Sequence, residues 1–287
     1  MDLMDKELTA ATWVETGYES IPLMLGGIDA RGKSVFIKPN AMMPYREPTD
    51  TATITDVRIV QGLVDQVRAA GCRSVLVGDC GFKGQWSKTT SSAGYDNLVG
   101  AEVRCLMDTD AADRGEFLHS KPGGYLSLHG AEISKLTLAC DAWVSVAKMK
   151  VHPLSRVTLT IKNLMGVITK GKGNMHPGWS RTTIHKRLRD LYFLLRDRVH
   201  LAVIDGVVGL EYSVTHGVPV KSGVVIWGPD PFEVDVLGCR LMGIPPQGVE
   251  YLRLIGETLG RSVAEMYRDV APAAIYEEAL FYQRIRG

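Results

Sequence analysis

Short, unbroken apolar runs punctuate the chain at residues 34–38, 74–79, 141–147, 200–205 and 223–227. Runs of this length between polar turns predict strands buried on both faces of a sheet. Elsewhere the apolar spacing changes to three and four. Ile59, Leu63, Val64 and Val67 predict a helix that opens near Asp56 and closes at Ala69, Ala70 and Gly71. Further helices are predicted over 182–198, over 231–242 with Pro231 in the first turn, and over 246–270. Residues 102–106 predict one more strand. Residues 83–98 predict a mobile polar loop running into a short helix, and 117–140 predict further strands or a small lobe of weak periodicity. Residues 157–167 read as the start of a helix, and 168–180 as a glycine-punctuated loop.

Strand, helix, strand at 34–79 is a βαβ unit, which builds a parallel sheet with a right-handed crossover. The fold class that follows is α/β: a mostly parallel sheet made of βαβ units, flanked by helices, with room for a small second lobe. Residues 1–32 read as an N-terminal extension, 33–270 as a single α/β domain and 271–287 as a C-terminal tail.

A chemical feature recurs where the strands end. The runs lead into Lys38-Pro-Asn40, into Gly78-Asp79, into Lys148-Met-Lys-Val-His152 and into Asp205-Gly206. Ligands of open parallel sheets gather outside the carboxyl ends of the strands, so these four ends predict one composite site. Lys148, Lys150 and His152 alternate and therefore share one face of an extended chain. Lys162 and Asn163 follow ten residues later.

Charge sharpens this. The formal net charge is +1, yet residues 142–189 contain no Asp or Glu and carry ten Lys and Arg together with His152, His176 and His185. A near-neutral protein that gathers its positive charge in one segment meets an anion there. Crowded lysines lose protons more readily and can act as bases or nucleophiles; the same crowding also suits a clamp for phosphate or carboxylate. His152 and His176 are candidate proton shuttles, and candidate metal ligands if a metal binds, although no ligand spacing requires one.

Other chemistries lack their signatures. Gly171-Lys-Gly-Asn174 does not have P-loop spacing, no G-x-G-x-x-G follows the first strand, and no G-x-S-x-G elbow is present. The five cysteines, Cys72, Cys80, Cys105, Cys140 and Cys239, form no C-x-x-C pair and read as reduced, mostly buried thiols. The polar, acidic start MDLMDKELTA is unlike a signal peptide, and no run of about twenty apolar residues suits a membrane span, so a cytoplasmic location is expected.

The strings Val35-Phe-Ile-Lys-Pro-Asn40, Val77-Gly-Asp79, Lys148-Met-Lys-Val-His152, Thr158-Leu-Thr-Ile-Lys-Asn-Leu-Met-Gly166, Val203-Ile-Asp-Gly206 and Asp230-Pro-Phe-Glu-Val-Asp235, then Arg240-Leu-Met-Gly-Ile244, resemble the domain-of-unknown-function 362 (DUF362) family over about residues 33–260. Many members of that family carry a ferredoxin-like iron–sulfur part, whose cysteine motifs this chain lacks, so no iron–sulfur cluster is expected. A more distant resemblance is to the amino-terminal domain of the nickel-pincer lactate racemase. There a lysine holds a dissociable, pyridinium-derived nickel cofactor, and His152, Lys162 and His176 fall at comparable places.

The resulting expectation is a small-molecule enzyme, an oxidoreductase or isomerase, that moves a proton or hydride on a small anionic metabolite. His152, Lys162, His176 and Lys150 are the candidate catalytic residues. Lys38, Asn40, Lys148, Asn163, Asp79 and Asp205 are the candidate substrate- or anion-binding residues. The cofactor is open: a dissociable organic or nickel-type group is compatible with the pattern. Alternatives are a non-catalytic metal or cofactor carrier subunit, and nucleic-acid binding through the basic 142–189 segment. The sparse aromatics and a pI near 7.7 disfavour the second. A homo-oligomer is compatible with everything above, and no membrane partner is expected.

Overall fold

The computed structural model describes residues 13–16, 29–44, 52–81, 84–107, 115–121, 123–170, 175, 181–215 and 217–269. The first half of the chain forms β1 (Trp13–Thr16), β2 (Ser34–Pro39), α1 (Val57–Ala69), β3 (Ser74–Asp79), α2 (Trp86–Ala93), β4 (Glu102–Cys105), β5 (Glu116–His119), β6 (Gly130–Ile133) and α3 (Lys135–Leu138). Next come β7 (Ala142–His152), β8 (Arg156–Thr158), α4 (Thr160–Asn163), β9 (Ile168–Lys170), α5 (Arg181–Leu195) and β10 (Val199–Glu211). The chain continues through β11 (Val218–Val220), β12 (Val224–Gly228), α6 (Pro231–Leu241), α7 (Glu250–Leu259) and α8 (Val263–Asp269).

A nine-stranded sheet dominates, in the order β1-β12-β10-β7-β2-β3-β4, with β11 on β10 and β8 on β7. From β10 to β4 neighbouring strands run parallel, whereas β12 and β1 add antiparallel strands at one edge. The α/β class predicted from the apolar runs is what the chain adopts. A separate antiparallel sheet, β5-β6-β9, forms from the weakly periodic region and three residues of the predicted 168–180 loop. Trp13–Thr16, inside the stretch read as an N-terminal extension, pairs with β12.

Local chemistry explains the element boundaries. The Asp56 carboxylate accepts from the Arg58 amide at 2.9 Å and caps α1, whose Ile59, Leu63, Val64 and Val67 are buried. Gly71, at φ +81°, takes the left-handed turn that ends the unit. At α6, Asp230 caps the Phe232 amide at 2.9 Å and Pro231 fills the first turn, where its missing N–H costs nothing.

Parity assigns the faces. Val35, Ile37, Val144, Val146 and Val203 pack with α1 on one face. Phe36, Trp143, Ile204 and Ile226 pack on the other, under Leu164, Leu188, Phe232 and Leu252 from the helical layer. Phe36 and Trp143 meet edge to face with centroids 5.3 Å apart.

Three expectations need correction. The strand expected over 141–147 runs on to His152, with every residue buried, so Lys148, Lys150 and His152 lie within β7 and not beyond its end. The strand expected to end at Asp205 continues, through a break in register, to Glu211. Residues 157–167 do not begin a long helix: β8 returns on β7 first, and only then does the four-residue α4 form. Strand propensity rules read lysine as a terminator, but a buried lysine can continue a strand when polar partners beside it meet its charge.

Candidate active site at the carboxyl edge of the sheet

β3, β2, β7 and β10 are consecutive in the sheet, so the four predicted strand ends do come together on one edge. The chain passes from β2 outward to β3 and β4, then returns to place β7 on the other side of β2. The boundary between β2 and β7 is therefore the topological switch point of the sheet, the place where ligands of open parallel sheets bind.

Register divides the charges between the two faces. Lys38 is paired with Ser145, so it shares the face of the odd-numbered β7 residues. Lys148, Lys150 and His152 occupy the opposite, α1-side face. On the first face, Lys38 Nζ lies 2.7 Å from Asp79 Oδ2 and 3.2 Å from Asn163 Oδ1. Asp79 also accepts from the Ala41 and Gly81 amides, at 3.0 Å each. Asn163 Nδ2 donates to the Lys38 carbonyl at 2.9 Å and to Ser145 Oγ at 3.1 Å. Gly166 is packed against this pair so closely that a Cβ there would overlap the end of the Lys38 side chain and a carboxylate oxygen of Asp79.

On the second face, Lys148 Nζ lies 2.8 Å from Asp205 Oδ2, with both side chains fully buried. The Asp56 amide donates to the same oxygen at 2.8 Å. Lys38 and Lys148, read from sequence as anion-binding cations, thus each sit in a buried ion pair, and Asp79 and Asp205 are the partners.

Lys150 is different. Its Nζ donates to Asn40 Oδ1 at 2.8 Å and to the Thr53 carbonyl at 2.9 Å, both neutral acceptors. Among the described residues no carboxylate lies within ion-pair distance of it, and the side chain is 1% exposed. Burial, then repulsion from Lys162 and Lys148, push its pKa down from 10.5 to about 7. Near neutrality the amine therefore exists in both forms. Its two neutral N–H bonds match its two acceptors, which leaves the lone pair directed away from both.

His152 caps the turn that follows it. Its Nδ1 accepts from the Leu154 and Ser155 amides, each at 3.1 Å, as the chain reverses into β8 through Arg156 at φ +66°. This fixes the tautomer with the proton on Nε2. Backbone amides orient Nδ1. Ligating a metal through Nε2 calls for a proton on Nδ1, facing two N–H donors, so His152 as held here does not fit a metal ligand. Among the described residues no group of three His, Cys, Asp or Glu could hold a metal ion, and all five cysteines are free thiols. Cys80 and Cys239 are buried and the other three are half-buried, fewer than the sequence reading expected. His176 and Gly171-Lys-Gly-Asn174 lie outside the described residues.

Lys162 is half-buried on α4, and Asp235 of α6 holds that helix in place. Asp235 Oδ1 accepts from Thr160 N at 2.7 Å and Thr160 Oγ1 at 2.6 Å; Oδ2 accepts from Ile161 N at 3.2 Å and Tyr251 OH at 3.0 Å. Burial outweighs these donors and pushes the Asp235 pKa up to about 7. In sequence Asp235 stands only as the last residue of the Asp230-Pro-Phe-Glu-Val-Asp235 string; its role as the anchor of α4 depends on a contact 75 residues away in the chain. Thr158 was passed over as well. It lies directly opposite Lys150 in the β7–β8 ladder, and among the described residues its buried hydroxyl has no hydrogen-bond partner.

The buried positions of Lys148 and Lys150 keep them from forming a surface for a polyanion. Among the described residues no helix is long and apolar enough to cross a membrane.

Comparison with known proteins gives three results. Residues 35–240 match the family described as Domain of unknown function (DUF362). The Thylakoid-associated protein sll1697 of Synechocystis sp. is 23% identical over 231 residues, which are 77% of this chain and 67% of that protein. The lactate racemase apoprotein from Thermoanaerobacterium thermosaccharolyticum superposes with a TM-score of 0.44 at 14% identity, over 85% of this chain. The chain spans 60% of the length of that racemase chain. The family match takes in Lys38, Asp79, Lys150, Thr158, Lys162 and Asp235 within one continuous segment, and the chain belongs to the DUF362 family.

Proposed function

We propose that this protein is a small-molecule enzyme that moves a proton on a small anionic metabolite at the β2–β7 switch point, with Lys150 as the working amine. The observation that carries this reading is Lys150 itself: a buried amine with no carboxylate at ion-pair distance among the described residues, held by Asn40 and Thr53 and brought to about 7 by burial and neighbouring lysines. A side chain tuned to the ambient pH suits general acid–base work, and a lysine is so tuned only when its surroundings oppose its charge.

The neighbouring charges support an anionic substrate. Lys38 and Lys148 are balanced by Asp79 and Asp205, and Asp56 is balanced by Arg58. Lys162, whose charge repels that of Lys150, adds cationic character beside it. His152, two residues beyond Lys150 on the same strand face, offers its Nε2–H to an oxygen that gains charge as the proton leaves. Lys38, Asn163 and Asp235 act as positioning residues that hold the strand end and α4. Proton transfer beside a carbonyl or hydroxyl, an isomerase-like reaction, needs no further protein group; hydride transfer calls in addition for a redox partner.

The test is solvent exchange. Purified protein is incubated in deuterium oxide with a panel of 2-hydroxy and 2-oxo carboxylates, and carbon-bound deuterium is read by proton NMR. The reading expects exchange in at least one compound that Lys150→Met abolishes. Equal exchange in wild type and variant overturns it.

A further inference from the structure

The Thr158 hydroxyl points to the chemistry that Lys150 performs. β10 occupies one edge of β7, and β2 leaves the other after the Pro39–Val146 pair. β8 then takes up that vacated edge, in line with β2 and beyond its carboxyl end. This brings Thr158 directly across from Lys150 on the same face, at the switch point. Its Oγ1 is buried and uses neither its donor nor its acceptor among the described residues. A hydroxyl stripped of water without a partner is destabilising, and such groups cluster where a ligand supplies the missing bond. Of the other buried side-chain atoms in this condition, none belongs to a residue paired with the candidate catalytic lysines across a strand ladder.

A general base and an amine nucleophile make different demands. A base needs only a lone pair. A nucleophile that condenses with a carbonyl also needs a group to hand a proton to the departing oxygen. We infer that Lys150 forms an imine with the carbonyl of a small 2-oxo acid, with Thr158 contacting the carbonyl oxygen and Lys162 the carboxylate. This deepens the reading of Lys150 as the working amine and rests on it. The Lys150 lone pair attacks the carbonyl carbon, and the carbonyl π pair moves onto oxygen, which takes a proton through the Thr158 hydroxyl. The nitrogen gives up a proton to solvent. The carbinolamine hydroxyl takes a second proton, relayed from solvent through Thr158, and leaves as water while the nitrogen lone pair forms the C=N bond. The balance is amine, carbonyl and one proton from solvent to protonated imine and water, and no oxidant or reductant is involved. The positive imine acidifies the neighbouring carbon, the step that proton transfer on a carbonyl acid needs.

The experiment is reductive trapping of the full-length protein with pyruvate or glyoxylate and sodium borohydride at neutral pH, followed by peptide mapping by mass spectrometry. The inference expects one dominant modified lysine, Lys150, whose labelling Lys150→Met removes. Thr158→Val slows that labelling by roughly 10²-fold, as loss of a positioned proton donor does, and Thr158→Ser restores it. A merely structural threonine would not distinguish Val from Ser in this way. Labelling spread over exposed lysines, or equal Lys150 labelling in Thr158→Val, overturns the inference. Deuterium exchange that depends on Lys150 without any trapping overturns the imine and leaves the proton-transfer reading standing; absence of both overturns both.

Discussion

Lys150 Nζ donates to Asn40 Oδ1 across 2.8 Å, bridging the two strands that flank the switch point through an uncharged acceptor. Two neighbouring lysines, Lys38 and Lys148, meet carboxylates at the equivalent distance. An amide in place of an acid is what separates a lysine of about neutral pKa from two structural ion pairs. Asn40→Asp converts the third site to the pattern of the other two. The expected outcome is that Lys150 holds its proton to higher pH by about one to three pH units and that exchange activity at neutral pH falls. Lysine side-chain NMR of the variant against wild type checks this.

The Lys38–Asp79 pair is buried, and both partners hold further groups: Asn163 on one side, the Ala41 and Gly81 amides on the other. Asp79→Asn keeps the shape and strands a buried cation, so it is expected to cost about 3–5 kcal/mol in denaturant unfolding. The double variant Lys38→Met with Asp79→Leu is expected to cost less than the sum of its single changes, because the partners fail together.

His152 does two separable jobs in this structure. Its Nδ1 closes the β7–β8 turn, and its Nε2 carries the proton that the proposed reaction uses. Asn in its place can accept the same backbone N–H groups, as Asn does in turns. His152→Asn is therefore expected to stay within about 1 kcal/mol of wild type in stability while losing at least tenfold in kcat with little change in KM. His152→Ala should lose both.

Lys150 also leaves a mark on pH stability. Its folded pKa of about 7 lies below the ordinary lysine value of 10.5, so between these limits the unfolded chain binds the proton and the folded chain does not. Stability of the wild type should accordingly rise relative to Lys150→Met as pH increases from about 7 to about 10.5, by up to about 1.4 kcal/mol per pH unit, and level off below about 7, where both states hold the proton. Thermal unfolding of the two proteins across that window measures the difference directly.

Much of this architecture was legible in the chain. Five apolar runs and one capped helix identified the parallel sheet, and their polar ends named Lys38, Asp79, Lys148, Lys150 and Asp205 as neighbours on one edge. What periodicity missed depends on partners far away in sequence. β7 continues through Lys148 and Lys150 because Asp205 and Asn40, at separations of 57 and 110 residues, satisfy them. Charge counting likewise could not tell a paired lysine from an unpaired one, so it treated Lys38, Lys148 and Lys150 as equivalent. Thr158 gave no signal at all: a threonine in a strand is ordinary, and only its place opposite Lys150, with no hydrogen-bond partner among the described residues, sets it apart.

The central claim is that Lys150 is a neutral-range amine held ready at the switch point. Titration of the lysine side chains by heteronuclear NMR, with Lys150→Met to assign the resonance, tests it most directly. The account expects the Lys150 signal to change with a midpoint near pH 7 and to shift on addition of a small carboxylate. A Lys150 that keeps its proton to about pH 10, like an ordinary solvated lysine, would contradict it.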